Sequence, residues 1–421
     1  MSMQQIPVTM LMMLAWRNLW RNRRRTLITL SSIALGFGMA VLSIGIGDGS
    51  HNSLIRNAIQ LGEGHLTIQH RDYLDAPANH RYIADGITLA AQLQKLQIPA
   101  QIQPRVSLQV LATTAGHATG AGVEGVALND PRAKQLQERM VAGRWMQPDE
   151  QRGLWIGERM AHKLGAKIGS KIVLMAGTEG GDSQAQLGRV RGIFRAGMEE
   201  MDRYLILTPL HFAQRFLQGE GAALERSPIT RYALFFDHPD QAVIWKQQLQ
   251  QQPFAAEVAV LEWQQLMPQL LQFIAVDDAG NYIFLTLILI LVIFGIINTV
   301  LMSVLERTRE FGLLRALGMG RAALLLLVFY ESLLLSLMAV VSGWLVGGGI
   351  HLWLGSHGID FSALGVSMEM MGTMMDPVIY TELSLDRIIQ LTLMIFGATL
   401  ASGVYPAIKA ARVTPIEALQ S

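Results

Sequence analysis

"YIFLTLILILVIFGIINTVLMSVLERTREFGLLRALGMGR", residues 282–321, decides the fold. Its first part, Tyr282 to Val304, is apolar throughout. At ~1.5 Å of helical rise per residue it is long enough to cross a hydrocarbon layer about 30 Å thick. From Glu306 to Arg321 the chain then interleaves charges with leucines. That second part is too charged for a membrane interior and too apolar for a plain linker. A further apolar run follows it, so the chain crosses, surfaces with an amphipathic segment, and crosses back.

Working outward, three more apolar runs fit the same reading. They are Thr26–Gly47, Ala322–Leu354 and Ile388–Ala407. The expectation is a membrane protein with four transmembrane α-helices at 26–47, 282–304, 322–354 and 388–407. The composition agrees: 51% of the 421 residues are hydrophobic and only 16% are charged, unusual for a soluble chain. A net charge of +1 gives no sign of a nucleic-acid partner. The absence of cysteine excludes disulfides and thiolate metal sites, and allows either redox compartment.

Basic residues set the expected orientation. Arg17, Arg21, Arg23, Arg24 and Arg25 precede the first span. Arg307, Arg309, Arg315 and Arg321 lie between the second and third, and Lys409 and Arg412 follow the fourth. The opposite flanks, "GDGSHNS" and "VDDAGN", have no lysine or arginine. Both termini and 305–321 therefore fall on the cytoplasmic side, with 355–387 outside and 408–421 a cytoplasmic tail. The first apolar run exceeds the roughly 7–15 residues of a signal-peptide core and has no clear A-x-A site, so it reads as an uncleaved anchor. Ahead of it, residues 1–25 read as a basic interfacial helix, with Trp16, Arg17, Trp20, Arg21 and Arg24 as anchors in the headgroup layer.

Residues 48–281 form a large α+β domain inserted between helices 1 and 2. "GHLTIQH", "RVSLQVLATTAG", "AGVEGVAL", "SKIVLMAG" and "QLGRVRGIFRA" alternate as strands. "PRAKQLQERMVAG", "GERMAHKLGA" and "DQAVIWKQQLQQQ" read as helices. "DRYLILTPLHFAQRFL" reads as strand followed by helix. Segment 57–61 predicts a helix that continues the first span, and 253–278 predicts a strand leading into a long helix that feeds the second.

The chemistry of an enzyme is missing. No H-E-x-x-H, G-x-S-x-G, EF-hand loop or phosphate-binding G-x-x-x-x-G-K-[ST] occurs, and the ten histidines are scattered. The methionine-rich "SMEMMGTMMDP", residues 367–377, contains Met368, Met371 and Met375. Thioethers of that kind bind soft Cu(I), but such a run is more often an adaptable apolar surface. In the membrane, Glu331 and Asn298 predict interhelical hydrogen bonding, and Ser32, Gly36, Gly343 and Gly347 predict close helix packing.

Three stretches carry a resemblance: "LAWRNLWRNRRRTLITLSSIALG", "NTVLMSVLERTREFGLLRALGMGR" and "YPAIKAARVTPIEALQS". With the span layout, they resemble the permease subunits of the MacB, FtsX and lipoprotein-releasing (LolC/LolE) class of ABC transporters. Tyr405, Pro406, Ala407, Ala410, Pro415, Ala418 and Leu419 are similar to the class's C-terminal signature. Gly157, Leu164, Gly165, Gly169, Gly192, Asp202 and Pro209 are similar to its outer-domain pattern.

The resemblance implies a subunit of the bacterial inner membrane with a periplasmic domain. It is not an enzyme itself and binds no cofactor, since ATP and Mg belong to two copies of a separate ATPase. A second permease copy, membrane lipid, and a periplasmic adaptor or lipoprotein are the other implied partners. The cargo is lipophilic or lipid-anchored; the FtsX-like alternative regulates a periplasmic partner without transport. The segment after span two would be the coupling helix that docks on the ATPase. Glu306, Arg307, Arg309, Glu310, Phe311, Leu314, Arg315 and Leu317 are its expected contact set, as an amphipathic helix fits a partner's groove.

Overall fold

The structure is a computed structural model, and it describes residues 8–177, 183–218, 226–360, 369–370, 373–374 and 378–412. Met368, Met371 and Met375 lie outside the described residues, as do Pro415, Ala418 and Leu419.

In chain order the helices α1 (Val8–Arg21) and α2 (Arg23–Leu61) come first. A mixed series follows: β1 (Leu66–His70), α3 (Gly86–Lys95), β2 (Ala100–Thr113), β3 (Ala118–Val126), α4 (Pro131–Glu138), β4 (Met140–Gly143) and β5 (Gly153–Gly157). It continues through α5 (Glu158–Leu164), β6 (Lys171–Gly177), β7 (Ser183–Phe194), α6 (Glu199–Tyr204), β8 (Leu205–Pro209) and α7 (Leu210–Gln218). It ends with β9 (Arg231–Phe236), α8 (Asp240–Gln250), β10 (Val258–Glu262) and α9 (Trp263–Leu266). Then come α10 (Pro268–Glu306), α11 (Thr308–Ala316) and α12 (Arg321–His357). Four two-residue strands, β11 (Ile359–Asp360), β12 (Glu369–Met370), β13 (Thr373–Met374) and β14 (Val378–Ile379), precede α13 (Leu385–Ser402) and α14 (Val404–Ala411).

The chain divides into two units. The first comprises Met1–His51, Ile274–Ala363 and Val378–Ser421. Among the described residues, four helices are long and apolar enough to cross a membrane: Arg23–Leu61, Pro268–Glu306, Arg321–His357 and Leu385–Ala411. The first two extend beyond the spans set by apolar composition, running on without a break past Gly47 and before Tyr282. Ile33, Phe37 and Val41 of α2 meet Val292 and Ile296 of α10, Leu335 and Ala339 of α12, and Leu391 and Ile395 of α13. A Cβ on Gly343 would stand 2.4 Å from the Phe37 ring, and one on Gly347 3.0 Å from the Gly38 backbone. One on Gly36 would meet the Val292 side chain at 2.7 Å. Ser32 and Asn298, expected at helix contacts, are instead exposed in the single chain; residue type does not say which side of a helix faces its neighbours. The Ser32 hydroxyl donates to its own helix at the Ile28 carbonyl.

The second unit, Asn52–Phe273 with Leu364–Pro377, is built on a ten-stranded sheet. The order is β10-β1-β9-β2-β3-β8-β5-β7-β4, with β6 pairing β2 and β7. Among the described residues, β3/β8 and β5/β7 pair parallel and the other strand pairs antiparallel. Helix α7 lays Phe212 and Phe216 on the core formed by Leu66, Ile68, Val106, Leu108 and Ile156. The expected helix over residues 131–143 stops at Glu138, because Met140–Gly143 pairs antiparallel with β7. Sheet pairing at an open edge overrides a weak local helix preference.

Buried charge organises this unit where α2 ends. Asp130 takes two hydrogen bonds of 2.7 Å from Arg105, and both side chains are fully buried. Arg105 also donates to the Gly62 carbonyl, and Arg132 donates to the Leu61 and Gly62 carbonyls. Those carbonyls have no partner within the helix, and cations at a helix C-terminus complement its dipole. Glu63 pairs with Arg231, and Glu124 with Arg231 at 3.1 Å and Arg132 at 3.2 Å. Three guanidinium groups thus meet three carboxylates.

Burial works to raise the Glu63 carboxyl pKa, but Arg231, Arg132 and Arg105 hold it below the ordinary 4.5. Its contribution to stability is therefore present above pH 4.5 and is lost as pH falls through the lower native value. We expect near-UV circular dichroism of the full chain in detergent to show a tertiary loss below that pH. Glu63→Gln should reduce the acid-dependent component and destabilise at neutral pH by about 3–5 kcal/mol, since Arg231 and Arg132 lose a buried counter-charge. An unchanged acid transition in Glu63→Gln would assign it to other groups.

Candidate functional site

The segment between the second and third long helices is a helix of its own. The 39-residue α10 ends at Glu306, and α11 begins two residues later with Arg307 at its N-cap. The Thr308 hydroxyl donates to the Leu305 carbonyl, closing the turn. At the far end Gly318 adopts φ +101°, a left-handed conformation that only glycine takes readily. The Met319 N–H reaches back to the Leu314 carbonyl at 3.0 Å and closes the helix before α12 starts.

The apolar residues of α11 divide between two faces. Phe311 is fully buried among Val304, Leu324, Val328, Ala407 and Ala410, with Leu314 and Met319 at the edge of the cluster. The expected contact set therefore needs correcting: Phe311 and Leu314 hold the segment onto its own chain. Arg309, Leu313, Ala316 and Leu317 face outward, with Leu313 54% and Leu317 78% exposed. Positions 309, 313 and 316–317 share one helical face. Leu313 escaped the sequence reading because Phe311 and Leu314 offered an equally plausible apolar stripe.

Charges attach α11 to the helices behind it. Glu331 lies in α12 and is 9% exposed. Its Oε1 accepts from Arg307 Nη1 at 2.9 Å and from Asn18 Nδ2 at 2.6 Å. Burial opposes the Arg307 charge, but Glu331 and Glu310 more than offset it and raise its pKa. The Arg307 guanidinium also lies 5.0 Å over the Phe311 ring, a favourable cation–π distance. Glu310 pairs with Arg21 at 2.9 Å and with Arg307 at 3.1 Å. Glu306 pairs with Arg25 at 2.8 Å, and Arg25 also reaches Ser303 at 2.5 Å. The Arg21–Glu310 pair is half exposed and worth little by itself; the Arg307–Glu331 pair is buried and must be kept whole.

A small cavity of about 40 Å³ adjoins this node, lined by Asn18, Arg25, Arg307, Glu331 and threonine and serine hydroxyls, and also by the apolar Leu19, Val300 and Leu335. Asn18 and Arg25 carried no sequence signal as partners of Glu331 and Glu306. The only hint was that a lone acid in an apolar run needs a donor. Of the expected interfacial anchors, Trp16, Arg17, Arg21 and Arg24 are exposed, and Trp20 packs edge-on against Trp16 at 5.9 Å.

At the other end of the same unit a second polar cluster joins α2, α10 and α13. Among the described residues, Asp48, His51 and Asp278 bring three potential metal-ligand atoms within 4.8 Å of one another. Arg387 stands 3.2 Å from Asp48 and 3.6 Å from Asp278, so a cation from the chain already serves these carboxylates. Arg387 also donates to the Tyr282 hydroxyl at 2.5 Å, and His51 lies 2.9 Å from Asp277.

Comparison with known proteins matches residues 26–240 to the MacB-like periplasmic core domain and residues 282–415 to the FtsX-like permease C-terminal domain. The chain is 22% identical to the lipoprotein-releasing system transmembrane protein LolC of Neisseria meningitidis, over 94% of each chain. It is 23% identical to LolE of the same system from Haemophilus influenzae, over 97% of this chain and 98% of that one. The crystal structure of the periplasmic region of MacB from Actinobacillus actinomycetemcomitans aligns with a TM-score of 0.36 at 13% identity, covering 51% of this chain and 96% of that one.

The buried node yields a stability prediction. Arg307→Ala leaves Glu331 with Asn18 as its one remaining partner in the node, and should lower stability in detergent by about 3–5 kcal/mol. Adding Glu331→Leu should recover most of that loss, read as the thermal unfolding midpoint. A double variant no more stable than Arg307→Ala would mean that lost packing, and not an orphaned carboxylate, is responsible.

Proposed function

Because the chain belongs to the ABC transporter permeases that carry a MacB-like periplasmic core and an FtsX-like C-terminal domain, we propose that it passes ATP-driven movement from a separate ATPase to a periplasmic domain. In this reading it is a multi-pass protein of the bacterial inner membrane with both termini cytoplasmic. Residues Asn52–Phe273, between the first and second spans in sequence, stand in the periplasm. Two permease copies, alike or different, carry two ATPase subunits, and ATP and Mg are bound there.

The observation that carries the reading is the division of α11 into two faces. A helix fixed from behind by Phe311 and Arg307, with Leu313 and Leu317 open to water between two spans, has the form of a docking surface. Leu313 and Leu317, 54% and 78% exposed, lie side by side on that one face rather than singly. Arg309 supplies a charge on the same face for an acidic partner.

For the cargo, nearly full-length similarity to lipoprotein-releasing transmembrane proteins supports a lipid-anchored or lipophilic substrate handled at the periplasmic face. The subunit would do no covalent chemistry. Its work is the coupling free energy between nucleotide binding on one side and domain position on the other.

Affinity purification of the tagged full chain from its own cells should recover an ATP-hydrolysing subunit. Leu313→Asp with Leu317→Asp should lose it by about tenfold or more, as two buried interface leucines become charged. Retained association in that variant would remove α11 from the docking surface. With the recovered complex in vesicles, ATP-dependent release of a lipid-anchored reporter supports transport. Hydrolysis without release favours regulation of a periplasmic partner.

A further inference from the structure

We infer that α1 positions α11, acting through Asn18; the consequence for coupling rests on α11 being the docking segment proposed above. Three observations converge. Leu11 and Ala15 of α1 are buried against Leu327 of α12, flanked by Leu14, Tyr330 and Leu334. That packing seats α1 one helical turn from Glu331 on the same helix.

The second observation is that a single atom joins three helices. Glu331 Oε1, on α12, accepts both from Asn18 on α1 and from Arg307 at the N-cap of α11. One carboxylate oxygen has a limited set of lone-pair directions, so a slide of α1 along α12 alters the bond available to Arg307. Arg21, three residues on from Asn18, holds Glu310 in the first turn of α11 at 2.9 Å. Both contacts fall at the start of α11, where its direction is set.

Thirdly, the node is not packed solid. The adjoining cavity is lined by the hydroxyl-bearing Thr26, Thr29, Thr299, Ser303 and Ser332. Arg307 therefore has space beside it and hydroxyl oxygens that can accept from it if α1 shifts. The opposite face of α1 exposes Met13 at 68% and Trp16 at 47%, residues suited to the headgroup layer. Helix α1 would then be a positioning element between the lipid surface and the docking helix, with Asn18 a positioning residue.

The natural chain has no cysteine, so spin labels can be placed without background substitutions. Met13→Cys on α1 and Ala316→Cys on α11, both exposed, report their separation by pulsed electron paramagnetic resonance. The full chain is held in phosphatidylethanolamine/phosphatidylglycerol nanodiscs. The parent should give one narrow distance peak. Asn18→Asp places a second carboxylate against Glu331, and the narrow peak should be lost. Adding Glu331→Gln restores one carboxylate and one amide to the node, and should restore the peak.

An unchanged peak in Asn18→Asp overturns the inference. So does failure of the double variant to recover it while its circular dichroism matches the parent. Bound ATPase and its stimulated hydrolysis are measured on the unlabelled, cysteine-free counterparts of the same proteins, because Ala316 lies on the proposed docking face. If the parent captures no ATPase but the peak responds as stated, the docking proposal fails and the positioning of α11 by α1 stands.

Discussion

A carboxylate set within an apolar helix must find a donor or lose its charge, and much of the membrane unit follows from how Glu331 is answered. Arg307 cannot reach it unless α10 ends and the chain turns at Glu306. The turn starts α11 with Arg307 at its cap, and that start directs Phe311 into the cluster of Leu324, Val328, Ala407 and Ala410. With Phe311 inside, helical geometry leaves Leu313 and Leu317 outside. The outward placement of Leu313 and Leu317 thus follows from the geometry that keeps one buried ion pair.

The second unit uses the same physics in a different place. The C-terminal carbonyls of α2 would be unsatisfied inside a protein, and Arg105 and Arg132 satisfy them. Those arginines are themselves held by Asp130, Glu124 and Glu63. In both units a helix end is fixed by guanidinium groups whose charge is balanced by buried acids. Arginine suits this work because its planar fork bonds a carboxylate and a carbonyl at once.

The sequence disclosed the elements with strong one-dimensional signals. Long apolar runs showed the four helices, and alternation showed β1, β2, β3, β6 and β7. It was silent where three dimensions decide. Residues 140–143 look helical until β7 offers an edge to pair with. Strand β9 has no polar alternation, because it lies between β1 and β2 with both faces covered. Around the candidate site the charged residues were visible at once, but their pairing was not. Glu331 and Asn18 are 313 positions apart, and nothing local in "LAWRNLWRN" marks one asparagine as the partner of an acid on α12. An amphipathic helix between two spans has two candidate apolar surfaces, and the neighbouring α10, α12 and α14 show that the Phe311 side is the occupied one.

Helix α14 has a consequence of its own. A Cβ on Gly403 would lie 2.0 Å from the Ser332 hydroxyl, so only glycine permits the chain to pass there and place Ala407 and Ala410 on Phe311. Ala407 and Ala410 therefore share one packed volume with Phe311, although they are far from it in sequence. In lineages descended from a common ancestor, a larger side chain at 407 or 410 would be tolerated only with a smaller one at 311. The two motifs should drift as a pair, each keeping a historical record of the other.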